Sequence, residues 1–149
     1  MEATQTQAPP GAAAATPDDF VHSGIACLAM LLRFHHLAAD PRQIAREHAP
    51  EQRDMDLLTL VRAARQLGLK ARSVKVKAKR LEHTPLPAIA QLKGGGYAIL
   101  AKVSGDKALL QHPGQAPQEM RVGDLLEKWT GFLMLATTAE TLAGARRKF

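Results

Sequence analysis

The stretch that decides the fold is DDFVHSGIACLAMLLRFHH, residues 18–36. Between residues 25 and 34 its only polar side chain is Arg33. A helix that is apolar on nearly every side has no face for water and belongs inside a domain. Its backbone N–H groups and dipole favour anions and thiolates at the N-terminus. The sequence therefore predicts a buried central helix over about residues 23–36, with Ser23 as its N-cap and the first place to look for chemistry.

The length of 149 residues predicts one domain with tails. A domain of this size buries roughly two thirds of its unfolded surface, so it needs no disulfide or metal to fold.

Cys27 is the only cysteine, and its place inside the apolar helix predicts a small buried hydrophobe. Residues 1–17 are rich in Ala, Pro, Gln and Thr, a composition that predicts a disordered tail.

The net charge of +6 and the pI of about 9.8 permit nucleic acid, anionic lipid or acidic protein as a partner. Aromatic residues make up only 4% of the chain, which argues against a protein that stacks single-stranded bases. No apolar run reaches the length of a membrane span, and the N-terminus has no charged region followed by an apolar one. We therefore predict neither a membrane span within this chain nor a secretion signal.

Two further helices and then a series of strands are predicted. Asp40-Pro41 is typical of an N-cap followed by proline at the first helical position. Asp54 or Asp56 caps a third helix, which Gly68 ends. The rest of the chain predicts mostly strands, over residues 69–77, 88–92, 97–103, 108–111, 119–122 and 132–137, with one helical turn over 79–83 and a short helix over 123–129. Helices followed by an antiparallel meander indicate an α+β fold with the helices on one face of the sheet.

The segment Ser23-Gly24-Ile25-Ala26-Cys27-Leu28 resembles the Asp-Cys-Gly-x-Ala-Cys-Leu motif of the bacteriocin-processing cysteine peptidases. These papain-like domains of ABC exporters cut leader peptides after a double glycine. Weaker similarities follow in the family's order, at residues 68–70, 86–89, 97–100 and 112–113. The resemblance covers about residues 18–137 and implies a papain-like cysteine peptidase fold.

The resemblance also implies that the catalytic groups have been replaced. Ser23 stands at the nucleophile position, His22 stands where the family has aspartate, Tyr97 stands at the histidine position and His112 stands at that of the orienting aspartate. A serine needs an adjacent base, and a phenol is not one at neutral pH. We therefore expect no peptidase activity. The alternative is an active leader peptidase in which His22 or His112 serves a rearranged site.

Inactive domains of this kind resemble those of exporters for RTX toxins, including the haemolysin and adenylate cyclase toxin transporters. The resemblance implies a domain on the cytoplasmic face of the bacterial inner membrane that binds an unfolded, acidic secreted protein before export. It implies the exporter's membrane and nucleotide-binding domains as partners, with ATPase activity outside these residues. Residues 138–149, which end in Arg-Arg-Lys-Phe, are then a linker towards a membrane region.

Two surfaces are candidates for substrate binding. One is the former cleft around His22, Ser23, Tyr97 and His112, where the Tyr97 ring is expected to be accessible. The other is the basic stretch over residues 70–80, which includes Arg72, Lys75 and Lys77. The structural alternative for this stretch is a solvated, edge-guarding face. No recognition motif for nucleic acid accompanies the charge, the histidines show no metal-ligand spacing, and no cofactor is expected in this domain.

Overall fold

The computed structural model describes residues 23–48 and 55–138. The predicted tail, His22 and all but the first residue of the predicted linker lie outside these ranges. The first half contains three helices, α1 (Ser23–Phe34), α2 (Pro41–His48) and α3 (Leu57–Gln66). The second half contains β1 (Lys70–Lys75), a 3-10 helix (Ala78–His83), β2 (Ala88–Leu92), β3 (Tyr97–Ser104), β4 (Lys107–Gln111), β5 (Gln118–Arg121), α4 (Val122–Lys128) and β6 (Trp129–Thr137).

The helix boundaries follow from local chemistry. The Asp40 carboxylate accepts the N–H of Arg42 at 3.1 Å, next to the proline that begins α2. Asp56 caps α3, since its carboxylate accepts the N–H of Thr59 at 2.8 Å. Of the two predicted caps for α3, the structure therefore selects Asp56. Gly68 follows the end of α3 with a φ of 108°, the left-handed conformation that glycine adopts without steric cost.

The six strands form one sheet in the order β1-β6-β2-β3-β4-β5, with every neighbouring pair antiparallel. Side chains alternate between two faces of this sheet. Ile89, Tyr97, Ile99, Met134 and Ala136 join the core beneath α1, α2 and α3. Their neighbours along the strands join a second core with Leu81 of the 3-10 helix and Leu125 of α4; they are Ala88, Ala90, Ala98, Leu100, Leu133 and Leu135.

The predicted α+β class with helices packed on an antiparallel sheet is confirmed, but several details differ. Strand β6 begins at Trp129, three residues earlier than predicted. The opposite face of the sheet is also covered, by α4 and the 3-10 helix. Helix α1 ends at Phe34, because His36 adopts a φ of 64°. Strand β1 ends at Lys75, two residues earlier than predicted, because the chain enters the 3-10 helix at Ala78.

Buried and exposed positions mostly follow the sequence. Cys27 is fully buried in α1, as predicted. The sequence also predicts Trp129 and Phe132, large apolar residues on either side of Gly131, to lie in the core. Trp129 is buried at the start of β6, but Phe132 is 38% exposed. None of the helices in the part of the chain that the structure describes has the length and hydropathy needed to cross a membrane.

Replacing Gly68 by alanine should destabilise the domain by about 1–2 kcal/mol, because a Cβ is disfavoured in the left-handed region. The new methyl group would also contact Leu37 Cδ1 at 3.5 Å. The matched control is Gly94→Ala, whose Cβ meets nothing within 4 Å and whose φ is not positive. Urea unfolding measures both variants, and an equal loss in the two would contradict this account of Gly68.

Candidate functional site

Ser23 lies where the start of α1 meets the start of β3. Its Oγ accepts a hydrogen bond from the backbone N–H of Tyr97 at 3.0 Å, across 74 positions of sequence. Ser23 is the first residue of the helix, whereas the sequence predicted it as the N-cap, the position just before the first helical residue. The packing of α1 on β3 therefore brings together two of the positions that the sequence resemblance singled out.

The Tyr97 side chain is buried, with only 4% of its surface exposed. It lies on the helix-covered face of the sheet, and its hydroxyl donates a hydrogen bond to the carbonyl of Met55 at 2.6 Å. The expectation of an accessible Tyr97 ring in the cleft is therefore wrong. The alternation of β3 directs this side chain inward, towards the Met55 carbonyl, a partner that no sequence signal indicated.

This arrangement decides what Ser23 and Tyr97 can do chemically. Nucleophilic catalysis by a hydroxyl needs a neighbouring group that takes its proton. The phenol at position 97 acts as a donor to a carbonyl, and the group that Tyr97 presents to the Ser23 oxygen is a backbone N–H. The first contact holds α1 against β3, and the second holds the segment before α3 against the same strand; neither contact increases the nucleophilicity of Ser23.

His112 follows β4 at the same end of the sheet as Tyr97. Because Gln111 pairs with Ile99 in an antiparallel register, His112 lies level with Ala98. Burial lowers the pKa of His112 below its ordinary value of 6.5, and the nearby positive charge of Lys128 lowers it further. The imidazole is therefore neutral at pH 7. Lys128 ends α4, which covers the face of the sheet opposite to α1.

The basic candidates lie on a different part of the domain. Arg72, Lys75 and Lys77 are exposed on and just after β1, which β6 and β2 separate from β3. The Lys75 Nζ atom lies 5.8 Å from the ring centre of the exposed Phe132. The structure therefore does not combine the cleft and the basic residues into one site. His22 lies outside the described residues.

An apolar groove beside α1 was not predicted from the sequence. It has a volume of about 240 Å³ and lies between α1 and the β3–β4 pair; its lining residues are Met30, Leu31, Phe34, Pro87, Ile99, Ala101 and Gln111. Phe34 at its rim is 57% exposed. Because α1 is apolar on nearly every side, its sequence did not indicate that one side would be left uncovered. The groove is open where α1 ends, at Phe34.

Within residues 23–48 and 55–138, no group of three or more His, Cys, Asp or Glu is placed to hold a metal ion.

The chain matches the model of the peptidase C39 family over residues 18–141. It is 40% identical over 139 residues to the cyclolysin secretion/processing ATP-binding protein CyaB of Bordetella pertussis, and 29% identical over 129 residues to the leukotoxin translocation ATP-binding protein LktB of Mannheimia haemolytica. These alignments cover 91% and 85% of this chain but 19% and 18% of the relatives. The chain thus spans about a fifth of the length of these relatives.

Solved structures show the same fold. The N-terminal peptidase C39 like domain of the toxin secretion ATP-binding protein from Vibrio parahaemolyticus superposes with a TM-score of 0.69 at 26% identity, over 78% of this chain and 97% of that one. A double glycine motif protease from an AMS/PCAT transporter, solved with its leader peptide, gives a TM-score of 0.71 at 19% identity, over 80% and 86% of the two chains. At 19% identity the second likeness concerns the fold alone.

Removing the phenol oxygen of Tyr97 tests whether this residue now serves stability. Tyr97→Phe leaves the buried Met55 carbonyl without this donor, so we expect a loss of about 1–3 kcal/mol in the free energy of unfolding. The control is Ser73→Ala, which removes an exposed hydroxyl and should change stability by less than about 0.5 kcal/mol. Chemical denaturation measures both, and an unchanged stability of Tyr97→Phe would contradict the structural role.

The lowered pKa of His112 predicts a pH dependence of stability. As the pH falls below 6.5, the unfolded chain takes up a proton at this position before the folded chain does, so the folded state loses stability. His112→Gln should therefore lose less stability than the wild type between pH 7 and about pH 5.5. His35, whose pKa burial also lowers, retains its part of the effect in this variant. Identical pH profiles of unfolding would contradict the assignment.

Proposed function

The chain belongs to the peptidase C39 family, and on that basis we propose that it is a proteolytically inactive, substrate-docking domain of a type I secretion ABC exporter. In this role the domain binds an unfolded secreted polypeptide before export and does not cut it. The observation that carries the proposal is the buried hydrogen bond from the Tyr97 hydroxyl to the Met55 carbonyl. Because of this bond, the side chain at the family's histidine position is held in the core.

The chemistry at positions 23 and 97 supports the loss of cleavage. A peptidase of the papain type needs a thiolate and an imidazole to hold its proton. Ser23 supplies a hydroxyl that accepts a backbone N–H, and Tyr97 supplies a phenol that donates to a carbonyl. Neither side chain reproduces the function of the group it replaces, while the packing of α1 on β3 is retained.

The names of the relatives support the exporter context. One is named for cyclolysin secretion and processing and another for leukotoxin translocation, and both are called ATP-binding proteins. By analogy, the membrane and nucleotide-binding domains of the same exporter are the partners of this domain, which operates at the cytoplasmic face of the inner membrane. Attachment to the exporter raises the effective concentration of a bound polypeptide at the channel, so modest affinity is sufficient.

The first test measures cleavage. The 149-residue chain, incubated with a double-glycine leader peptide, should release no product above background, and neither should Ser23→Ala or Ser23→Cys. A thiol at position 23 should not restore cleavage, because position 97 supplies no imidazole to take its proton. The positive control is the double glycine motif protease of the AMS/PCAT transporter on its own leader peptide. Cleavage by the wild type that disappears in Ser23→Ala would instead establish the alternative, an active leader peptidase with rearranged groups.

The second half of the test measures binding. Unfolded cyclolysin, added to the isotope-labelled chain, should shift a defined set of amide resonances, with a dissociation constant in the micromolar range or weaker. The same polypeptide in its folded form should shift few or none. Absence of any perturbation by the unfolded polypeptide would contradict substrate docking.

A further inference from the structure

Strand β1 is the outer strand of the sheet, hydrogen-bonded to β6 on one side only. The N–H of Val76 donates to the carbonyl of Gly131 at 2.8 Å. Val76 and Gly131 are therefore a hydrogen-bonded pair, and the neighbouring pair along the two strands is Lys75 and Phe132. In an antiparallel ladder, bonded and non-bonded pairs alternate. Arg72 and Val74 therefore direct their backbone groups towards β6.

Ala71, Ser73 and Lys75 then direct their N–H and carbonyl groups away from the sheet. An independent contact confirms this orientation, because Arg65 Nε donates to the Ala71 carbonyl at 2.8 Å from outside the sheet. That bond occupies one outward group at the α3 end of β1. Beyond it, the outward N–H and carbonyl groups of Ser73 and Lys75 form an edge to which another strand can bond.

The charge around this edge has one sign. Residues 57–81 contain eight Lys or Arg and no Asp or Glu; the cations are Arg62, Arg65, Lys70, Arg72, Lys75, Lys77, Lys79 and Arg80. The ion pair found among the described residues joins His48 to Glu47, so none of these cations is neutralised within that part of the chain. Lys75 and Arg72 are exposed on opposite faces of β1, and Lys77 extends the charge past its end.

We propose that the outward edge of β1, from Ala71 to Lys75, binds an acidic, extended polypeptide segment as an added strand. The inference rests on the docking function proposed above and names the surface and the chemistry of the segment. Backbone hydrogen bonds to Ser73 and Lys75 supply affinity that does not depend on the detailed sequence. Acidic side chains of the added strand lie opposite Arg72 and Lys75, where cross-strand pairs of opposite charge are favourable.

The same charges select against the wrong partner. A second copy of β1 at this edge would bring a second set of cations beside the first, and the repulsion between like charges disfavours that pairing. The basic edge thus prevents pairing between copies of this domain while it favours an acidic strand. An unfolded segment offers its backbone N–H and carbonyl groups along its whole length, whereas a folded protein offers them only at its edge strands.

The probe for this edge is a fluorescent 12-residue peptide that repeats Glu-Glu-Thr-Thr, which places glutamates on both faces of an added strand. The 149-residue chain should bind it, and amide exchange at Ser73 and Lys75 should slow in the complex. A second peptide, with the same side chains and a methyl group on every central backbone nitrogen, keeps the charge and loses the donors. We expect it to bind at least about tenfold more weakly, since ladder bonds cannot form. Equal affinity for both peptides would overturn strand addition.

Variants of the chain test the same edge. Ser73→Pro removes an outward N–H without removing a bond to β6, a position at which a sheet tolerates proline. Lys75→Glu/Lys77→Glu reverses the charge, and its matched control is Lys102→Glu/Lys107→Glu, with equal net charge at exposed positions of β3 and β4. We expect binding about tenfold weaker for Ser73→Pro and for the β1 reversal, and little change for the control. If Ser73→Pro does not fold, the comparison between the β1 charge reversal and its control tests the proposal.

These outcomes separate the inference from the function on which it rests. If unfolded cyclolysin binds the wild type and the β1 variants with equal affinity, the docking function stands and the edge proposal is wrong. If the acidic peptide binds at β1 and unfolded cyclolysin does not bind, the edge proposal stands and the docking function is wrong. Equal weakening by the β1 reversal and by its control would reduce the effect to net charge and overturn the edge proposal.

Discussion

The burial of α1 between two other helices and the sheet is the constraint on which the rest of this domain depends. Seven of its twelve residues are buried, among them Ile25, Leu28, Leu31 and Leu32, and each such side chain stabilises the fold by about 1.5–3 kcal/mol. Because this packing fixes the direction of α1 along β3, it also fixes the meeting of Ser23 with Tyr97. The geometry around Ser23 and Tyr97 is therefore a property of the core.

The replacement at position 97 illustrates this dependence. Alternation along β3 directs the side chain inward, into the core beneath the helices. A tyrosine there buries a ring and satisfies its hydroxyl on the Met55 carbonyl, across 42 positions of sequence. The Tyr97 side chain thus ties two distant segments of the chain together.

The sequence predicted the architecture well where the signal is local. The caps Asp40 and Asp56, the turn glycine Gly68 and the strand Ala88–Leu92 depend on their immediate neighbours, and the structure places them as expected. Prediction failed where a residue's surroundings come from distant parts of the chain. Tyr97 is buried because Met55 meets it, and Phe132 is exposed because it lies opposite Lys75 near the edge of the sheet. Hydrophobicity alone does not distinguish these two aromatic residues.

Under the proposed function, the position of the basic edge separates polypeptide binding from the region of Ser23 and Tyr97. Strand β1 lies three steps from β3 in the sheet, about 14 Å at the usual spacing of strands. Side chains at Ser23 and Tyr97 can therefore change without altering the backbone edge at Ser73 and Lys75. A polypeptide bound at that edge would not have to contact Ser23 or Tyr97. Under the proposed function, the domain holds a polypeptide through the backbone edge and the positive charge of β1, and neither depends on the side chains of Ser23 and Tyr97.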